Sequence, residues 1–124
     1  MDKKTRDGLE AAGYAVTSVE ESFDLSPEEV ALIDLKVALG AFLREQRARA
    51  GMTQAQLAER LGTRQPNVAR MEQGGRGVTL DQLVRGLLAC GASVRDVGRA
   101  IGAAAPGPAA AATRRAKRRL ASAS

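Results

Sequence analysis

The side chains in this sequence that can do specific chemistry are amides and guanidiniums gathered in one stretch: Gln54, Arg64, Gln65, Asn67, Arg70 and Arg76. A glutamine pairs bidentately with an adenine edge, an arginine with guanine, and arginines also hold phosphate. Proton transfer and metal binding have little to work with. There is no histidine, which removes the commonest general base and the usual zinc ligand. The single cysteine, Cys90, can form neither an internal disulfide nor a cysteine cluster, and it fits a reducing compartment. Gly74-Gly75-Arg76-Gly77 follows no strand pattern, so it is not a nucleotide fingerprint. An enzyme is the least favoured class, and no catalytic residue, metal or cofactor is implied.

The elements that must position these groups are helices. Ser26-Pro27-Glu28-Glu29 reads as a capping box with proline in the first helical position, where its missing N–H costs nothing. The helix it opens runs to about Ala50, with Leu32, Leu35, Leu39, Phe42 and Leu43 on its apolar face. Gly40 looks like a weak spot in it, worth about 1 kcal/mol against alanine. Thr53 to Gln56 is a second capping box, with Leu57, Ala58 and Leu61 on the buried side and Gly62 as the stop. A helix over 65–73 follows, with Pro66 in its first turn and Val68 and Met71 facing inward. Thr79 to Gln82 opens a fourth helix with Leu80, Leu83, Leu87 and Leu88 inside, and Gly91 ends it. Ser93 to Asp96 opens a fifth, carrying Val94, Val97 and Ile101.

The second and third helices meet three requirements together. A helix-turn-helix needs a small residue where the second helix crosses the first, and Ala58 is there. It needs a glycine at the turn, where the backbone goes left-handed, and Gly62 is there. It needs an apolar residue packing back, and Val68 serves, with Leu57, Leu61 and Met71 completing the inner surface. Thr53-Gln54-Ala55-Gln56-Leu57-Ala58-Glu59-Arg60-Leu61-Gly62, followed by Gln65, Val68 and Met71-Glu72-Gln73-Gly74, resembles the Xre-type, lambda-repressor-like helix-turn-helix family. Val78-Thr79-Leu80 and Leu83 fit its fourth helix. The lead-in Leu25-Ser26-Pro27-Glu28-Glu29 with Leu35-Lys36, and the Gly13-Tyr14-Ala15-Val16 segment, resemble HigA-type antitoxins of toxin–antitoxin pairs.

The resemblance implies an all-α, five-helix domain that reads a double-stranded DNA operator as a homodimer. The third helix enters the major groove with its N-terminal residues at base edges. Gln65, Pro66, Asn67 and Arg70 are then the base-reading candidates. Pro66 offers only apolar contact, for instance to a thymine methyl. Gln54, Arg64 and Arg76 are the phosphate candidates, Gln54 because it begins a helix. The dimer surface is open between the Leu87, Leu88 and Ile101 end and residues 14–19. Glu72 reads as a structural hydrogen-bond or ion-pair partner, and Cys90 as a small buried apolar residue.

The 124 residues suit about one domain. The aromatic content of 2% argues against a β-sandwich or a base-stacking platform for single strands. Residues 1–25 form an N-terminal extension with net charge −3, containing a short helix over 5–12 and a possible strand over 14–19. Residues 26–102 form the helix-turn-helix domain. Residues 103–124 carry five basic and no acidic groups and read as a flexible Ala/Pro/Arg-rich tail, with 113–121 able to become helical on an anion. No apolar run is long enough for a membrane span, so a cytoplasmic, nucleoid-associated protein is expected. Two functions compete: an antitoxin and autorepressor that neutralises a RelE/HigB-type ribonuclease toxin, and a stand-alone Xre-family repressor. A third, from another class, is a protein–protein adaptor.

Overall fold

The computed structural model describes residues 25–104 and 107–123, with side chains to residue 120. The helix expected over 5–12 and the strand over 14–19 lie outside the described residues. Six helices are present among those described: α1 Pro27–Arg49, α2 Gln54–Leu61, α3 Gln65–Gln73, α4 Leu80–Ala89, α5 Val94–Gly102 and α6 Pro108–Ala123. There is no strand among them.

Local sequence signals set the boundaries. Thr53, Thr79 and Ser93 each accept a hydrogen bond from the N–H three residues on, while the side-chain oxygens of Gln56, Gln82 and Asp96 accept from the cap N–H. Each reciprocal pair satisfies two donors that a helix start leaves open. At α1 only half of the expected box forms. Ser26 accepts from the Glu29 N–H at 3.1 Å, but Glu29 does not reach back. Glycines Gly62 and Gly74 end α2 and α3 in the left-handed region, at φ 69° and 66°.

The core is one cluster around α1. Leu39 and Leu43 of α1, Leu57 of α2, Val68 of α3, and Leu83 and Leu87 of α4 are fully buried. Each buried leucine contributes about 1.5–3 kcal/mol relative to exposure. Several residues expected inside stand outside: Leu32, Leu88 and Ile101 are exposed, and Val94 is 77% exposed.

Two features change how α1 is understood. Gly40 is not a defect. A Cβ there would sit 2.6 Å from the Met71 carbonyl oxygen and 2.7 Å from that of Glu72, so the glycine is what lets α1 approach the end of α3. The second feature corrects the expected flexible tail, which forms α6 and packs on the first half of α1. Asp34, 2% exposed, accepts from the N–H groups of Gly107 (3.0 Å), Ala109 (2.7 Å) and Ala110 (3.0 Å). The α1 carboxylate therefore caps a helix start more than seventy residues away in sequence, where orphan donors and the positive dipole end favour an anion. Val30, Ala109 and Ala112 form a second small core beside it, with Leu25 and Ile33 against it.

Candidate nucleic-acid interface

The α2–α3 pair crosses at small and apolar side chains. Ala58 is 3% exposed and Val68 fully buried. The Gly62 turn is closed by hydrogen bonds from the Gly62 N–H to the Glu59 carbonyl and from the Thr63 N–H to the Ala58 carbonyl. Leu57 and Met71 are buried, and Leu61 packs half-buried against them. This fixes α3 with Gln65, Pro66 and Arg70 exposed and Asn67 half-buried. Arg64 lies exposed at the start of α3, and Arg76 exposed in the loop that follows it.

A chain of hydrogen bonds then runs from the interior to the tip of α3. Arg47 of α1 donates from Nε to Glu72 Oε2 at 2.5 Å and from Nη2 to Glu72 Oε1 at 3.2 Å. Its Nη1 donates to the Met52 carbonyl at 2.8 Å. Gln54 Nε2 donates to Glu72 Oε1 at 2.9 Å, and Gln65 Nε2 donates to Gln54 Oε1 at 2.6 Å. The Glu72 side chain is 4% exposed. Its hydrogen bond holds the Arg47 guanidinium above its ordinary pKa.

The order of donors and acceptors follows from chemistry. An ionised carboxylate only accepts, so Gln54 must turn its NH₂ toward Glu72 and its carbonyl outward. Gln65 must then give one of its two N–H groups to that carbonyl. What remains on Gln65 is one N–H and one carbonyl oxygen. A second, shorter chain holds the next residues: Asn67 Nδ2 donates to Thr63 Oγ1 at 2.7 Å, and Arg70 Nη2 donates to Asn67 Oδ1 at 2.5 Å.

The candidate residues therefore divide. Gln65 and Arg70 are both exposed on α3, Gln65 held by Gln54 and Arg70 by Asn67. Asn67 is largely engaged in bridging Thr63 to Arg70. The Gln54 side chain points to Glu72 and Gln65, so the group it leaves for an anion is its backbone N–H, one of the first-turn donors without an intrahelical partner. Arg47 was not signalled by the sequence: a basic residue in the last turn of a helix has an ordinary explanation as a complement to the dipole. Glu72, the sole acid on α3, is turned inward and paired, so the outer face of that helix carries amides and Arg70 with no carboxylate of its own. Cys90 is buried, and burial pushes its thiol pKa up. No group of His, Cys, Asp or Glu among the described residues is placed to hold a metal, and no described helix is long and apolar enough to cross a membrane.

Two crossing helices with a glycine turn and an exposed amide–guanidinium row define a helix-turn-helix of the Xre-like kind, the architecture of a DNA-binding regulator. Residues 38–100, just over half of the chain, match the family model described as a helix-turn-helix domain, and the chain belongs to that family. No curated protein and no solved structure matches it.

Proposed function

We propose that the chain is a sequence-specific transcriptional repressor that reads its own operator through Gln65 and Arg70. The observation that carries this is the oriented Gln65 amide, held through Gln54 by the Glu72–Arg47 pair. The carbonyl and N–H left on Gln65 are the pair an adenine edge requires, and Arg70 is the guanine reader. Pro66 adds an apolar contact, and Asn67 positions Arg70 while lying within reach of the same groove. The first-turn N–H of Gln54, Arg64 and Arg76 engage phosphate. One such domain reads few base pairs, so two copies act on half-sites about 34 Å apart. Leu88 and Ile101, both exposed, and residues 14–19 are the dimer candidates, Leu87 being fully buried.

The finer reading is an antitoxin that also represses its own transcription and neutralises a RelE/HigB-type ribonuclease. Its support is the resemblance of the lead-in before α1 and the acidic balance of residues 1–25. Growth rescue on co-expression with the product of the adjacent reading frame tests it, and absence of rescue removes it. The repressor reading is tested by binding to the chain's own promoter fragment and to an unrelated duplex. Gln65→Ala and Arg70→Ala should each remove about 1–3 kcal/mol of discrimination. Equal affinity of the unaltered protein for both duplexes would overturn it.

A further inference from the structure

The family match ends at residue 100, yet an ordered helix lies beyond it. On α1, Val30, Ile33, Asp34, Val37 and Gly40 follow helical three- and four-residue spacing and share one face. Its first part is covered by α6, through Ala109 and Ala112 on Val30 and through the Asp34 cap. Its next part is covered by the end of α3 and the loop after it. Gly40 lies under Met71 and Glu72, and Gly74 lies against the backbone of Lys36 and Val37. So α6 and the loop carrying Arg76 are neighbours along one side of α1.

On α6 the buried positions Ala109, Ala112 and Thr113 face α1, and Thr113 Oγ1 donates internally to the Ala109 carbonyl at 2.9 Å. Arg114 and Arg118 lie on the opposite, exposed side, and Lys117 and Arg119 are exposed as well. Residues 103–124 include no acid to offset them. A dense positive helix face beside a phosphate-contacting loop fits a polyanion.

We propose that α6 is a second DNA-contacting element, docked by Asp34 so that its arginines engage the phosphate backbone flanking the bases read by α3. This rests on the reading of α3 as the base-reading helix. Phosphate binding carries no sequence information, so α6 supplies affinity and register while α3 supplies selectivity. The docking matters because a fixed helix holds its charges along the duplex without the ordering cost of a free tail.

The test is a salt series with the full chain on a mixed-sequence duplex and on its promoter fragment, between about 50 and 200 mM salt. The variant Arg114→Gln/Arg118→Gln/Arg119→Gln changes only exposed side chains. It should make the slope of log K against log salt shallower by about 0.9 for each phosphate that is no longer neutralised, on both duplexes alike. Asp34→Asn makes the chain more positive by one charge, so a free polycationic tail would bind at least as tightly as before. Loss of the dock instead predicts weaker binding on both duplexes, together with lower helical content by circular dichroism. An unchanged slope in the triple variant overturns the proposal; it would mean that these cations serve another partner, such as the acidic residues 1–24. Undiminished binding by Asp34→Asn overturns the docking. Neither the triple variant nor Asp34→Asn should alter the promoter-to-mixed affinity ratio. Gln65→Ala should lower that ratio, so failure of base reading and failure of phosphate binding by α6 are read separately.

Discussion

Replacing Gly40 by alanine should destabilise the protein, although it lies in the middle of a helix. Helix propensity alone favours alanine by about 0.8–1.0 kcal/mol. The structure opposes this with three atoms. The new Cβ would lie 2.6 Å from Met71 O, 2.7 Å from Glu72 O and 2.9 Å from Glu72 C. All three belong to the backbone of α3, so no rotamer change relieves them, and α1 and α3 must move apart. Overpacking of this kind costs about 1–3 kcal/mol, and a clash with backbone belongs in the upper part of that range. The net expectation is a loss of about 1–2 kcal/mol, equivalent to a fall in Tm of about 4–15 °C for a domain of this size. Gly98 is the control. It too is helical, but it is exposed and a Cβ there meets nothing within 4 Å. Gly98→Ala should therefore stabilise by about 0.5–1 kcal/mol. Thermal and urea unfolding followed at 222 nm give both values. If Gly40→Ala matches or exceeds the unaltered protein in stability, the close-approach reasoning is wrong.

The remaining expectations concern ionisable groups. Glu72→Gln leaves the Arg47 guanidinium half-enclosed without its carboxylate and should cost about 3 kcal/mol in urea unfolding. The double variant Arg47→Met/Glu72→Leu should cost less than that; equal or additive losses would contradict the pairing. Asp96 accepts the Ser93 N–H at 2.9 Å, and this holds its carboxyl below the ordinary 3.8. A group depressed on folding stabilises above its unfolded value and loses that effect as pH falls through its folded value. The Tm gap between the unaltered protein and Asp96→Ala should hold at neutral pH and close under acid conditions below about pH 4, and a gap that widens on acidification would reverse the sign. Cys90 is buried with its pKa raised, so a disulfide reagent at mildly alkaline pH should modify it far more slowly in the native protein than in urea. Equal rates would place it at the surface.

The parts legible in the sequence were those set by local chemistry. Thr53, Thr79 and Ser93 announce helix starts because capping acts across three residues. Ala58, Gly62 and Val68 announce the α2–α3 crossing because a turn of fixed length brings them together. The parts that escaped depend on distant pairings. Val94 and Ile101 keep helical spacing yet stay exposed, since periodicity marks a face without saying what covers it. Gly40 has a propensity cost in any sequence, and its benefit exists only once Met71 and Glu72 lie above it. The stretch beyond residue 103 lacks the apolar rows that mark a self-sufficient packed helix. Its order comes instead from Asp34, which in sequence is a lone acid in the middle of α1, where aspartate is a poor helix former.

The Arg47–Glu72 pair, with Glu72 buried and Arg47 half-enclosed, invites a reading in terms of stability, but its placement favours orientation. Removing two charges from water is costly, and apolar residues of similar size often hold a fold as well or better. An apolar pair cannot tell the two ends of a glutamine amide apart. The carboxylate of Glu72 can, because it accepts and never donates, and each amide in line passes the choice outward. If Gln54 were free to turn, its NH₂ would face Gln65 half the time, and Gln65 would answer with its carbonyl. The NH₂ would then face outward with the carbonyl turned to Gln54, a poorer match to the donor and acceptor that adenine presents in the major groove. A charge fixed in the interior thus settles which hydrogen bonds are offered at the surface of α3. On that account Glu72→Gln, an amide that itself can turn, should blur base preference beyond its cost in stability. A promoter-to-mixed affinity ratio unchanged in folded Glu72→Gln protein would show that Gln65 takes its orientation from the DNA instead.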